Sequence, residues 1–198
     1  MKTHNIALIV IALALLPFAA NAHVIAEDSG FIAGFWHPVL GLDHFLAMLS
    51  VGILSTQIGG RAIWTVPAAF VTMMTVGGVI GFQQIDILFS EYILSFSVFA
   101  LGFAIAAARK MPALLAMVFV GMFGIFHGYA HGLEMPAVAK AFPYASGFVL
   151  ATASIHIAGV FIGLGAKKLK DGTTLLRYAG AIIAGMGLEL TILMKDLC

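Results

Sequence analysis

Six uninterrupted apolar stretches, each about 20 residues long, dominate the sequence: Trp36 to Thr56, Ala62 to Phe82, Ile87 to Ala108, Pro112 to Gly132, Tyr144 to Gly165 and Leu175 to Met194. At about 1.5 Å per residue, each can cross a hydrocarbon layer of about 30 Å as an α-helix, which satisfies its own backbone where no water can. The expected fold is therefore all-α: a polytopic bundle of six transmembrane helices in a lipid bilayer. With 62% of residues hydrophobic and 10% charged, the composition excludes an ordinary soluble domain. Ten Lys and Arg nearly balance nine Asp and Glu, and no glycine-rich phosphate loop follows a strand-like run. Neither nucleic acid nor a nucleotide is expected as a partner.

Residues 1–22 divide into a short start carrying Lys2, an apolar run from Ile6 to Phe18 and the small-residue end Ala20-Asn21-Ala22. This is the pattern of a cleaved secretory signal peptide, expected to release residues 23–198 as the six-helix transmembrane domain. The breaks between the stretches carry Lys and Arg unevenly. Arg61 marks the first, Arg109 and Lys110 the third, and Lys167, Lys168, Lys170 and Arg177 surround the fifth, whereas the second has none and the fourth only Lys140. The positive-inside rule then places the odd-numbered loops in the cytoplasm and both mature termini outside, in agreement with an exported N-terminus. Glycine pairs four residues apart, Gly77/Gly81, Gly128/Gly132 and Gly159/Gly163, are expected to let helix backbones approach closely. A homo-oligomer is left open.

Within these apolar segments lie two clusters of ionisable residues, which are costly in a bilayer unless they face a partner, a cavity or an ion. The first reads H-P-V-L-G-L-D-H from His37 to His44. Pro38 suits a first helical position, which puts His37 at the outer helix boundary, with Asp43 and His44 about two turns deeper. His37 and His44 share a face if the helix is regular; Asp43 lies off it and either ligates directly or orients an imidazole. The second cluster reads F-H-G-Y-A-H-G-L-E from Phe126 to Glu134, at the outer end of the fourth stretch. At about 100° per residue, His127, His131 and Glu134 fall within about 60° of one another, lining one stripe. Imidazoles and carboxylates at one depth on two helices make a metal site for nickel, cobalt, zinc or copper(II). The single cysteine, Cys198, excludes a Cys-type zinc site and an internal disulfide.

Weaker candidates accompany these six. His156, in the fifth stretch, reads either as a path ligand or as a partner of a Ser or Thr across a helix contact. Glu189, in the sixth, is a relay or simply reaches the outer interface. His23, as a new N-terminus, would join an amine to an imidazole and chelate metal outside. Met48, Met73 and Met74 read as core filling before soft ligands.

At these residues the sequence resembles the HupE/UreJ family of bacterial membrane proteins, which are linked to hydrogenase and urease gene clusters and regarded as nickel permeases. The resemblance covers nearly the whole chain, with H-x5-D-H in the first span and F-H-G-x-A-H-G-x-E in the fourth. It implies an inner-membrane location and makes His37, Asp43, His44, His127, His131 and Glu134 the functional set. The first motif is also similar to the H-x4-D-H signature of the larger nickel/cobalt transporter family, with one more residue before the Asp. The resemblance leaves nickel or cobalt open.

The expected function is secondary transport of a divalent ion, Ni2+ or Co2+, from periplasm to cytoplasm, with the ion as cargo and no catalytic cofactor. Two other readings compete. A metal-dependent intramembrane hydrolase would hold zinc with three protein ligands and use Glu134 as a base, although H-E-x-x-H is absent. A haem-binding electron carrier would use paired histidines.

Overall fold

The computed structural model describes residues 30–85, 87, 89–135 and 140–195. The leader 1–22 and His23 lie outside them. The described residues contain helices and no strand: α1 (Phe31–Leu40), α2 (Leu42–Ile58), α3 (Ala62–Phe82), α4 (Ser90–Ala107), α5 (Ala113–Leu133), α6 (Ala141–Ala166) and α7 (Gly172–Lys195). Five of them, α3 to α7, are individually long and apolar enough to cross a bilayer, and α1 with α2 pass the same test only when taken together, for five to six candidate spans. The chain is a multi-pass membrane protein. Large apolar side chains such as Trp64, Leu114, Phe161 and Ile192 are exposed, whereas His44, His127, His131 and His156 are buried. This polarity suits hydrocarbon solvent, to which such a surface costs nothing.

The first span departs from the sequence expectation. It is two helices, bent by 82°. Pro38 sits inside α1 instead of opening a helix, and His37 is therefore on α1 while Asp43 and His44 are on α2. At Gly41 the backbone leaves the helical region (φ −77, ψ 110), its N–H donates to the His37 carbonyl, and its own carbonyl accepts from Phe45 to begin α2. Space dictates the residue there: a Cβ on Gly41 would lie 3.1 Å from His44 Nδ1 and 3.3 Å from Asp43 Oδ1. Three other expected boundaries shift by a few residues. α4 begins at Ser90, α6 at Ala141 and α7 at Gly172. The loop before α4 is held short of helix by left-handed conformations at Gln84 and Phe89, and Tyr129 pins it by donating to the Ile85 carbonyl and accepting from the Ile87 N–H.

α2 is the central element, packed against every other helix. The most extensive contacts elsewhere join α3 to α5 and α4 to α7, and α6 receives both α1 and α2. The expected glycine pairs all lie at these contacts: Gly77 and Gly81 of α3 meet Ile125 and Tyr129 of α5, Gly128 and Gly132 meet Met74 and Gly78, and Gly159 and Gly163 meet α2 at Leu49 and Thr56. Small residues here replace the hydrophobic force that lipid cannot supply. The helices alternate in direction, so the loops bearing Arg61, Arg109, Lys110, Lys167, Lys168 and Lys170 collect at the end opposite both histidine clusters. At that end Lys167 Nζ donates to the Thr56 carbonyl and Arg177 Nε to the Ala106 carbonyl at 2.9 Å, satisfying exposed ends of α2 and α4.

A side chain at Gly128 would drive into the α3 backbone at Met74, so Gly128→Val is expected to destabilise the bundle by about 1–3 kcal/mol. Gly185→Ala, with open space around it, is expected to be tolerated. Thermal unfolding of the detergent-solubilised variants checks the contrast; equal melting temperatures would refute the packing account.

Candidate metal centre

The break at Gly41 folds α1 across the histidine-bearing end of the bundle, so that His37 and His44 meet although they lie on different helices. Their ring centres are 6.4 Å apart, and both stand against His131, at 4.7 and 4.2 Å. His127, one turn further along α5, approaches His44 at 5.1 Å. The two sequence motifs therefore converge on one cluster. Exposure falls steeply through it, from 43% for the Glu134 side chain and 33% for His37 to 3% for His131 and 0% for His127. Glu134 and His37 form a mouth, and the other imidazoles recede into the bundle.

The glycines interleaved in the second motif explain why α5 presents its histidines inward. Gly124, Gly128 and Gly132 form the face that abuts the α3 backbone. His127 and His131 occupy the adjoining face, which turns toward α2 and α4. Glu134 is the C-cap of α5, with its N–H on the Ala130 carbonyl.

Hydrogen bonds assign the protons on several rings. Asp43 Oδ1 accepts from His44 Nδ1 at 2.6 Å and from the His44 backbone N–H at 2.8 Å, which leaves the His44 Nε2 lone pair free. Asp43 thus holds His44 through Oδ1, the orienting contact that was one of the two roles open from sequence. The Ser97 hydroxyl donates to the Leu94 carbonyl at 2.6 Å, so at 2.9 Å from His127 Nε2 it must accept. His127 consequently carries its proton on Nε2 and offers Nδ1. Both offered nitrogens, together with both nitrogens of His131, are buried without a hydrogen-bond partner among the described residues. A buried polar group left so costs about 1–3 kcal/mol, and four such atoms in one cluster point to a ligand that would satisfy them.

At the mouth, His37 Nε2 donates to Glu134 Oε2 at 3.1 Å while Tyr144 donates to His37 Nδ1 at 3.0 Å. Glu134 Oε2 also lies 3.9 Å from His131 Nδ1. His37, His131 and Glu134 each offer a ligand atom, all within 4.8 Å of one another. Two ligands about 2.0–2.1 Å from one first-row metal are at most about 4.2 Å apart, so a small adjustment encloses an ion here. That adjustment must displace the His37 proton, because the ring cannot both donate to Glu134 and ligate through Nε2.

Several contributors carried no signal in the sequence patterns. Tyr144, Ser97 and Phe148 reach the cluster from α6, α4 and α6, and Phe148 lies 4.0 Å from the His131 ring. Glu91, in the first turn of α4, is in the electrostatic range of Glu134, His44 and Asp43. Phe70 of α3 touches both His127 at 5.6 Å and His156 at 5.1 Å. A single acid or aromatic at a span end has no spacing partner to mark it. Glu189 is exposed on α7 and makes none of the contacts that join the cluster, and Met48 and Met74 are packed in the apolar core as expected. An apolar cavity of about 300 Å³ lies beside the site, between α3, α5 and α6, with His131 at one wall and Val79, Phe82, Met135 and Phe142 around it. Its lining is almost wholly apolar, in contrast to the Glu134 and His37 pair beside it.

The family model described as "HupE / UreJ protein" matches residues 11–190 of this chain. Protein HupE of Rhizobium leguminosarum bv. viciae is 40% identical over 193 residues, which cover 97% of this chain and 100% of that protein. No solved structure matches.

If Asp43 fixes the His44 tautomer, the imidazole nitrogen resonances of the labelled protein will show a proton on Nδ1 of His44. Asp43→Asn is expected to redistribute it between the two nitrogens. An unchanged spectrum in the variant would refute the assignment.

Proposed function

This chain belongs to the HupE/UreJ family, and on that premise we propose that it is a secondary permease carrying a divalent transition metal, nickel first and cobalt second, from the periplasm to the cytoplasm across the bacterial inner membrane. The observation that carries this reading is the burial of unpartnered imidazole nitrogens on His44, His127 and His131 behind a carboxylate mouth. Imidazole and carboxylate are the ligands that such ions take, and His37, His44, His127, His131 and Glu134 would strip water from the ion stepwise. In this scheme Asp43 holds His44 and the others ligate. The basic loops lie at the far end of the bundle from the mouth, which supports a mouth and mature termini facing the periplasm.

With no nucleotide motif in the chain, the drive is electrochemical: about 100 mV across the membrane supplies about 4.6 kcal/mol for a doubly charged ion. A site of mixed imidazoles and one mouth carboxylate binds loosely enough for release, as conduction requires. A closed cage would trap the ion.

In proteoliposomes under an inside-negative potential, radiolabelled nickel is expected to accumulate, with cobalt competing. His127→Ala together with His131→Ala should abolish uptake; flux of neither metal in the wild-type protein, or full flux in the double variant, would overturn the reading. Because protonated imidazole cannot ligate, uptake should also fall as the outer pH is lowered. Initial rates measured at constant potential test that dependence.

A further inference from the structure

His156 stands apart from the outer cluster and is not used by it. It lies on α6 eight residues beyond Phe148, the residue that packs on His131, which is about 12 Å deeper along the helix at 1.5 Å per residue. It is 2% exposed, and neither ring nitrogen has a hydrogen-bond partner among the described residues. The helix-contact alternative expected from sequence, a bond to Ser or Thr, is not what the neighbouring hydroxyls do. Thr152 turns to the Met74 sulfur at 3.7 Å, and Ser154 donates to the Leu150 carbonyl of its own helix.

Between His156 and the outer cluster stands Phe70. Its ring is edge-on to His156 at 5.1 Å and tilted against His127 at 5.6 Å, and it is fully buried. His127 turns Nε2 to Ser97 and keeps Nδ1 unpartnered, so each imidazole flanking Phe70 has at least one lone pair uncommitted. The close approach of α2 and α6 at Gly52 and Gly159 fixes the α6 backbone beside His156, since the His156 carbonyl abuts Gly52. A rigidly held imidazole with idle nitrogens, past an aromatic partition from a ligand cluster, has the chemistry of a relay.

We propose that His156 is a second cation station, at which the transported divalent ion is held by one imidazole after leaving His127 and passing Phe70. This rests on the transport reading above and adds to it an order of events. The outer cluster selects; the inner station, with one imidazole and the ion's remaining water completing its shell, holds more weakly and lets go. Separating the two by an aromatic ring keeps the ion from being bound by both at once, so its release does not require the outer ligands to dissociate together.

The test uses the full chain, with Co2+ as the probe of binding and radiolabelled nickel as the probe of flux. His156→Leu retains bulk and has no donor, whereas His156→Met retains a donor of similar reach. The expected result is that His156→Leu keeps the ligand-field absorption of Co2+ at the outer cluster but loses uptake by about tenfold or more, as loss of a metal-supporting group does. His156→Met should recover part of the flux, which a packing role would not produce. Wild-type flux in His156→Leu, loss of the outer Co2+ bands in that variant, or equal flux in the Leu and Met variants would each overturn the station while leaving the permease reading intact. Absence of both Co2+ bands and nickel flux in the wild-type protein would overturn the two together.

Discussion

Buried imidazoles in an apolar bundle are the constraint on which the rest of the arrangement depends. A neutral ring carries one donor and one acceptor, and a bilayer-spanning interior has no water to meet them. The protein meets some of these demands itself: Asp43 accepts from Nδ1–H of His44, Ser97 accepts from Nε2–H of His127, and Glu134 and Tyr144 hold His37 between them. It leaves others open, among them one nitrogen each of His44 and His127 and both of His131, on rings where His44 stands 4.2 Å from His131 and 5.1 Å from His127. The partners thus do more than stabilise each ring. By fixing which nitrogen carries the proton, they determine which nitrogen is offered.

That arrangement needs close helix approach. The glycine face of α5 brings its backbone against α3, and the neighbouring face then delivers His127 and His131 to the centre. On the other side, the break at Gly41 lets a polar pair occupy the space where a Cβ would stand, and swings α1 so that His37 reaches across to Glu134. A continuous first helix would have placed His37 two turns from His44 along one axis. The kink places His37 at the mouth with His44 behind it.

Much of this was legible in the sequence. Apolar length and the Lys and Arg distribution are local properties, so six spans and their alternation followed from counting; the glycine pairs marked helix contacts because few other residues tolerate them. The helical stripe His127, His131 and Glu134 was readable because α5 is regular to its end. The regularity of the first span was the assumption that failed, since Gly41 and the Asp43–His44 pair make a break through a three-dimensional clearance. Phe70, Ser97, Tyr144 and Glu91 were silent for a similar reason. Each is brought to the site by a helix other than the ones that carry the motifs.

By itself, then, the amino-acid sequence determined the solvent in which this chain folds, its helical class and the residue types that converge on one cluster, because hydropathy, charge and helical period act within a single segment. The tertiary structure alone decided that Asp43 orients His44, that Ser97 sets the proton of His127, and that His156 lies past Phe70 from the cluster. Those relations depend on distances between helices, and packing fixes such distances only when every backbone has found its neighbour.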